Sequence, residues 1–149
     1  MGVKSDQGGS VSIEQRVAAP AEKVSAYVSD FRNAGEWMVG VENVERLGED
    51  TYRLALDSPI GKIHPEVRIK EQSPESINWV YTSTVEGGGR VDVSPDAEGG
   101  CLVSYTGEFH LKRKLLDRAA RFVGAERFAR TNGERSLKRL KYLMEARRY

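Results

Sequence analysis

The chain is predicted to fold as an α+β domain, in which a curved antiparallel sheet of about seven strands wraps a long C-terminal α-helix, with two short helices after strand 1. Three observations predict it. Six short alternating runs follow one another between residues 44 and 112, separated by hairpin-length turn signals. One strand and a brief helical stretch precede them. Only the C-terminal segment has helical periodicity over a length that can cover a sheet.

A Gly/Ser-containing start, residues 1–10, is expected to be flexible, and residues 11–149 to form a single ligand-binding domain. Val11, Ile13, Gln15 and Val17 alternate with Ser12, Glu14, Arg16 and Ala18, the period of a half-buried strand. Pro20 ends that strand and suits a first helical position, with Glu22 in the first turn. Val24, Tyr27, Val28 and Phe31 follow at i, i+3, i+4 and i+7. Asn33 is placed to cap a second brief helix carrying Trp37 and Met38, which Gly35 weakens. Strands are then expected at 44–47, 51–57, 62–72, 76–85, 90–95 and 101–112, with Gly87-Gly88-Gly89 read as part of a turn. Tyr52, Leu54 and Leu56 share one face, as do Ile63, Val67 and Ile69, then Ile77, Trp79 and Tyr81, then Val91 and Val93, then Val103, Tyr105, Phe109 and Leu111. The opposite phase is charged, so one face is dry and the other wet. The final helix should run from about residue 112 to 147, interrupted near Gly124.

At 149 residues the chain can bury a sizeable core without staples. Its single cysteine, Cys101, lies in an alternating apolar run and reads as a buried, inert thiol, which with no disulfide suits a reducing compartment. No apolar stretch resembles a signal peptide or approaches the roughly 18 residues of a membrane span, so a cytoplasmic location is expected. Asp6 stands where an N-terminal acylation pattern wants Ser or Thr. The net charge of +1 conceals an asymmetry: residues 1–111 carry −8 and residues 112–149 carry +9. A solvated helix balancing an acidic body explains this, as does a weak anionic membrane contact through Lys114, Arg118 and Arg121 flanking the stripe of Leu111, Leu115, Ala119, Phe122 and Val123. Nucleic acid is not expected, because these cations lack interleaved exposed aromatics.

The inward stripe of the last helix changes character along its length. Ala125, Ala129, Asn132 or Gly133, and Ser136 give way to Leu137, Leu140, Leu143 and Met144. Small residues over a curved sheet either leave a cavity or permit close backbone approach, and stripe composition alone does not choose between them. The aromatic supply favours a cavity near the N-terminal half of the helix. Its expected lining is Trp37 and Met38 from the segment after the first helix. The sheet would add Tyr52, Leu54, Leu56, Val67, Trp79, Tyr81, Val91, Tyr105 and Phe109, and the helix Phe128, Ala129, Asn132, Gly133 and Ser136.

Several stretches carry a resemblance. Val11-Ser-Ile-Glu through Ala19-Pro20-Ala-Glu-Lys-Val24, then Tyr27-Val-Ser-Asp-Phe31 and Glu36-Trp37-Met38-Val-Gly-Val41, resemble the opening of the START-like, or SRPBCC, superfamily. Pro59-Ile-Gly61, Ile77-Asn-Trp79, Gly88-Gly89-Arg90-Val91 and Leu137-Lys-Arg-Leu140-Lys extend the likeness along nearly the whole chain, narrowing it to the bacterial polyketide cyclase/dehydrase-like branch. The resemblance implies a helix-grip fold that binds a lipid-, polyketide- or isoprenoid-like molecule between sheet and final helix. It also implies two alternatives, a cyclase, aromatase or dehydratase, and a membrane-associated accessory protein.

No residue pattern identifies catalysis. His64 and His110 share their phases with charged residues and are expected to face water. Neither a metal cluster nor a nucleophile system has its spacing here, and the triple glycine lacks the helix and Gly-Lys-Ser/Thr of a phosphate loop. No cofactor is expected. Tyr52, Tyr81, Tyr105 and Asn132, with Arg130 or Glu134 at the edge of the helix stripe, are the inward polar candidates, and the tyrosine hydroxyls can orient a ligand.

Overall fold

The computed structural model describes residues 8–58, 61–83, 85–111 and 125–146. The elements are β1 (Gly8–Val17), α1 (Ala21–Ser29), a 3-10 turn (Phe31–Asn33), α2 (Ala34–Trp37), β2 (Val41–Arg46), β3 (Thr51–Ser58), β4 (Gly61–Ile63), β5 (Glu66–Ser73), β6 (Ser76–Tyr81), β7 (Val85–Pro95), β8 (Cys101–Leu111) and α3 (Ala125–Ala146). All pairings are antiparallel. The strand order is β1-β8-β7-β6-β5-β3-β2, with β4 pairing β3 off this path. The curled seven-strand path and the covering helix are as predicted.

Boundaries moved for physical reasons. Strand β1 starts at Gly8 rather than Val11, because its ladder with β8 extends to the Gly8–His110 pair. The predicted strand 62–72 is two strands, β4 and β5, parted at His64-Pro65. Pro65 has no N–H to give a ladder, but its carbonyl accepts from Leu54 N at 2.9 Å. Strand β2 begins at Val41, three residues early. Asn33 does not cap α2. Its side-chain amide instead donates to the Tyr27 carbonyl at 2.9 Å, tying the 3-10 turn back to α1. The predicted helical stretch 112–124, including the break at Gly124 and the cations Lys114, Arg118 and Arg121, lies outside the described residues.

The largest correction concerns the triple glycine. Gly87, Gly88 and Gly89 are interior to β7 and paired with Phe109, Glu108 and Gly107 of β8. Strand β6 ends at Tyr81, so the chain reverses between Tyr81 and Val85. A Cβ on Gly88 would collide with the Trp79 carbonyl, and one on Gly89 with the Trp79 indole. These glycines are therefore needed for close approach inside a strand, a use that local turn signals do not reveal.

The core lies between the dry sheet face and the helices. Val17, Val24, Val67, Val91, Val103, Cys101 and Leu140 are fully buried. Phe31, at the start of the 3-10 turn, is wedged with its ring centroid 5.2 Å from both Tyr52 and Trp79. Helix α3, 22 residues and about 33 Å long, packs chiefly along β1. Leu137, Leu140 and Met144 are buried there, and Glu145 accepts from the Ala18 backbone N–H at 2.9 Å.

Gly89→Ala should destabilise the fold by about 1–3 kcal/mol through forced displacement of the Trp79 ring. Gly48→Ala, whose new methyl meets only Thr51 at 4.0 Å, should stay within about 0.5 kcal/mol. Urea unfolding followed by tryptophan fluorescence checks both, and equal effects would show that the strand glycine has no packing role.

Candidate ligand cavity

A partly open cavity of about 160 Å³ lies between the sheet and the N-terminal half of α3. Met38, Leu54, Leu56, Trp37, Trp79 and Tyr81 line it from α2, the sheet and the segments joining them. Tyr105 lines it from β8, and Phe128, Ala129, Asn132, Gly133 and Ser136 from α3. Those twelve were expected from sequence. Tyr52, Val67 and Val91 do not line it and belong to the solid core. Tyr52 packs on Phe31 and so stands behind the ring that reaches the cavity. Val67 pairs with Tyr52 and Tyr81, and Val91 with Ile77 and Tyr105, both fully enclosed. The side chain of Phe109 lies outside the described residues.

Phe31, Val39, Val41, Ser58, Ile63 and Val85 complete the lining and were not expected there. Phe31 and Ile63 carried a signal, since both occupy inward phases of their segments. Val39 and Ser58 lie at a loop and at a strand end, where periodicity says nothing.

The small residues of α3 serve both purposes left open by the sequence. A Cβ on Gly133 would come within 2.5 Å of Ile13 Cδ1 and 3.5 Å of Tyr105 Cε2, so the helix is pressed close to β1 there. Gly133, Ala129 and Ser136 also face the cavity. Ser136 is committed to structure: its hydroxyl donates to the Asn132 carbonyl at 2.7 Å and accepts from Val39 N at 2.8 Å. That pair fixes the α2–β2 connection against α3. Gly40, in the same connection, has φ +96°, and a Cβ there would lie 3.3 Å from Nδ2 of Asn132.

The polar inventory is short and uncharged. Among the described residues, the lining contributes hydroxyls, an amide and indoles, without a carboxylate, imidazole, amine or guanidinium. Burial pushes the Tyr105 hydroxyl well above the ordinary phenol range, and the neighbouring Tyr81 adds to the rise. Burial also raises Tyr81, partly offset by the neighbouring Trp79 indole. Both tyrosines are thus neutral donors at ordinary pH. Tyr105 makes no side-chain hydrogen bond to another described residue, and it lines the cavity while only partly buried. His64 and His110 are exposed, and Cys101 is buried with its thiol raised by burial. No group of three potential metal ligands occurs among the described residues, and no described helix is long and apolar enough to cross a membrane.

Comparison with known proteins agrees with this architecture. The family model described as polyketide cyclase / dehydrase and lipid transport matches residues 9–145. Among solved structures, the chain is similar to the Zhui aromatase/cyclase from Streptomyces sp. R1128, with TM-score 0.77 and 19% identity over 94% of this chain and 95% of that one. It is likewise similar to a START superfamily protein from Mycobacterium smegmatis, with TM-score 0.73 and 16% identity over 92% and 97%. The di-domain ARO/CYC StfQ of the steffimycin biosynthetic pathway aligns at TM-score 0.72 and 13% identity, over 95% of this chain and 52% of that one. No curated protein sequence matches the chain.

The raised tyrosine pKa values have a consequence at alkaline pH. Above about pH 10 the unfolded chain releases phenolic protons that folded Tyr81 and Tyr105 still hold, so stability falls as pH rises. Tyr105→Phe should therefore shift the midpoint of alkaline unfolding upward. The 295 nm titration of the native protein near pH 10–11 should be unchanged by the same substitution; a lost native tyrosinate signal would show that Tyr105 titrates normally.

Proposed function

The chain belongs to the polyketide cyclase / dehydrase and lipid transport family, and from that premise we propose that it binds one compact, largely apolar molecule in the cavity under α3. The observation that carries this reading is the lining itself: aromatic and aliphatic walls with a few neutral polar groups, the composition of a small-molecule site. The size narrows the ligand. An apolar protein cavity of about 150 Å³ holds benzene, whereas drug-sized ligands occupy about 300–1,000 Å³. A single ring with short substituents matches the volume, and an extended acyl or polyketide chain would need the cavity to enlarge.

The family also includes cyclases, and the likeness to Zhui supports a second reading in which a polyketide-derived substrate is cyclised or dehydrated here. That chemistry calls for a general acid or base at the reacting atom. Tyr81 and Tyr105 are the groups on this lining that can donate a proton. Held neutral by burial, they suit orientation of a bound group better than abstraction of a proton. Binding is therefore the preferred reading.

Native mass spectrometry of the purified chain should show a co-purified small molecule, or a one-to-one adduct with an added aromatic such as ethylbenzene. Ala129→Phe, which fills the cavity from α3, should abolish the adduct and leave the far-ultraviolet circular dichroism unchanged. Persistence of the adduct in that variant would place binding elsewhere, and conversion of the added molecule would favour the enzymatic reading.

A further inference from the structure

Resting on the binding role just proposed, we infer that the cavity selects a neutral ligand bearing a hydrogen-bond acceptor, a ketone, quinone or lactone oxygen on a compact apolar ring, received by the hydroxyls of Tyr81 and Tyr105. Three classes of apolar ligand meet different fates here. A carboxylate would be desolvated with no cation among the described lining residues. A plain hydrocarbon would leave the hydroxyls facing it unsatisfied. A neutral acceptor removes both penalties.

The donors are set up for that task. The Tyr81 hydroxyl, which has the Trp79 indole as a neighbour, donates to no described acceptor, so its O–H is left for a ligand. The Tyr105 hydroxyl makes no hydrogen bond to another described residue and stands where no charged neighbour competes for it. Burial keeps both phenols protonated.

A cross-strand glycine pair positions them. Gly89 of β7 is registered directly against Gly107 of β8, with Trp79 opposite Gly89 on β6. This pair removes two adjacent side chains from one row of the sheet, between Val11 of β1 and Trp79 of β6. The Trp79 ring lies across the space over Gly89, and the Tyr105 hydroxyl lies 2.5 Å from where a Cβ of Gly107 would be. Any side chain at 107 would push that hydroxyl away, which makes Gly107 a positioning residue for the acceptor site.

The test uses three near-isosteric probes on the full chain, acetophenone, ethylbenzene and benzoate, with affinities from calorimetric titration. Tyr105→Phe and Tyr81→Phe should each weaken acetophenone by about tenfold while changing ethylbenzene by less than about threefold, and benzoate should bind at least about tenfold more weakly than acetophenone. Gly107→Ala should reproduce the Tyr105→Phe pattern, its thermal midpoint confirming that it folds. If ethylbenzene binds but acetophenone is indifferent to both tyrosine changes, or both probes weaken equally, the acceptor site is refuted and the binding role stands. Benzoate binding as tightly as acetophenone refutes the preference for a neutral ligand. If neither neutral probe binds the native chain, the binding role fails together with the acceptor site.

Discussion

The interior is organised by the distance between α3 and β1, and that distance is set at Gly133. The bare backbone of the helix there lies so close to Ile13 that a methyl group would overlap it, and the edge of the Tyr105 ring fills the remaining space. Dispersion contacts at that range are lost rapidly with separation, so the contact holds the helix to this spacing at Gly133. On one side, Leu137, Leu140 and Met144 close a solid core. On the other, Ala129, Asn132 and Ser136 stop short of the sheet and leave a cavity.

The sheet answers this constraint with its own absent side chains. Gly89 and Gly107 face one another across the β7–β8 ladder and let the Trp79 ring and the Tyr105 hydroxyl occupy the space in which two Cβ atoms would stand. Phe31 then packs edge-on against the Trp79 ring, and Tyr52 packs against Phe31. The cavity wall is thus made of rings held by rings, while the Ser136 hydroxyl ties the remaining wall to the α2–β2 connection by accepting from Val39 N and donating to the Asn132 carbonyl. Polar satisfaction is complete where it holds the frame and left open at Tyr105.

Much of this frame was legible in the residues alone. Period-two alternation identified the inward faces of β3, β5, β6, β7 and β8, because side chains of a strand have only two directions to take. Those faces, the last helix and the segment after the first helix, which carries Trp37 and Met38, together anticipated twelve residues of the cavity lining. Tyr52, Val67 and Val91 share the same inward phase and yet lie in the solid core. Phase assigns a face, but depth along that face depends on what packs above it. Here that is Phe31 for Tyr52, and a ligand-sized gap for Tyr81. The resemblance in the opening segments and in Ile77-Asn-Trp79 named the family, which the match over residues 9–145 shows.

Sequence by itself determined the strand faces, the covering helix and the change from small to large residues along it, since each of these is written in local periodicity. Tertiary structure decided what the glycines mean. Gly87, Gly88 and Gly89 carry the local signature of a turn but are held in a strand paired with β8, where the Trp79 carbonyl excludes a Cβ at Gly88 and the Trp79 ring excludes one at Gly89. It also decided that the small residues of α3 give close approach at Gly133 and a cavity beside it. Both outcomes depend on distances between segments far apart in the chain, and no local pattern encodes such a distance.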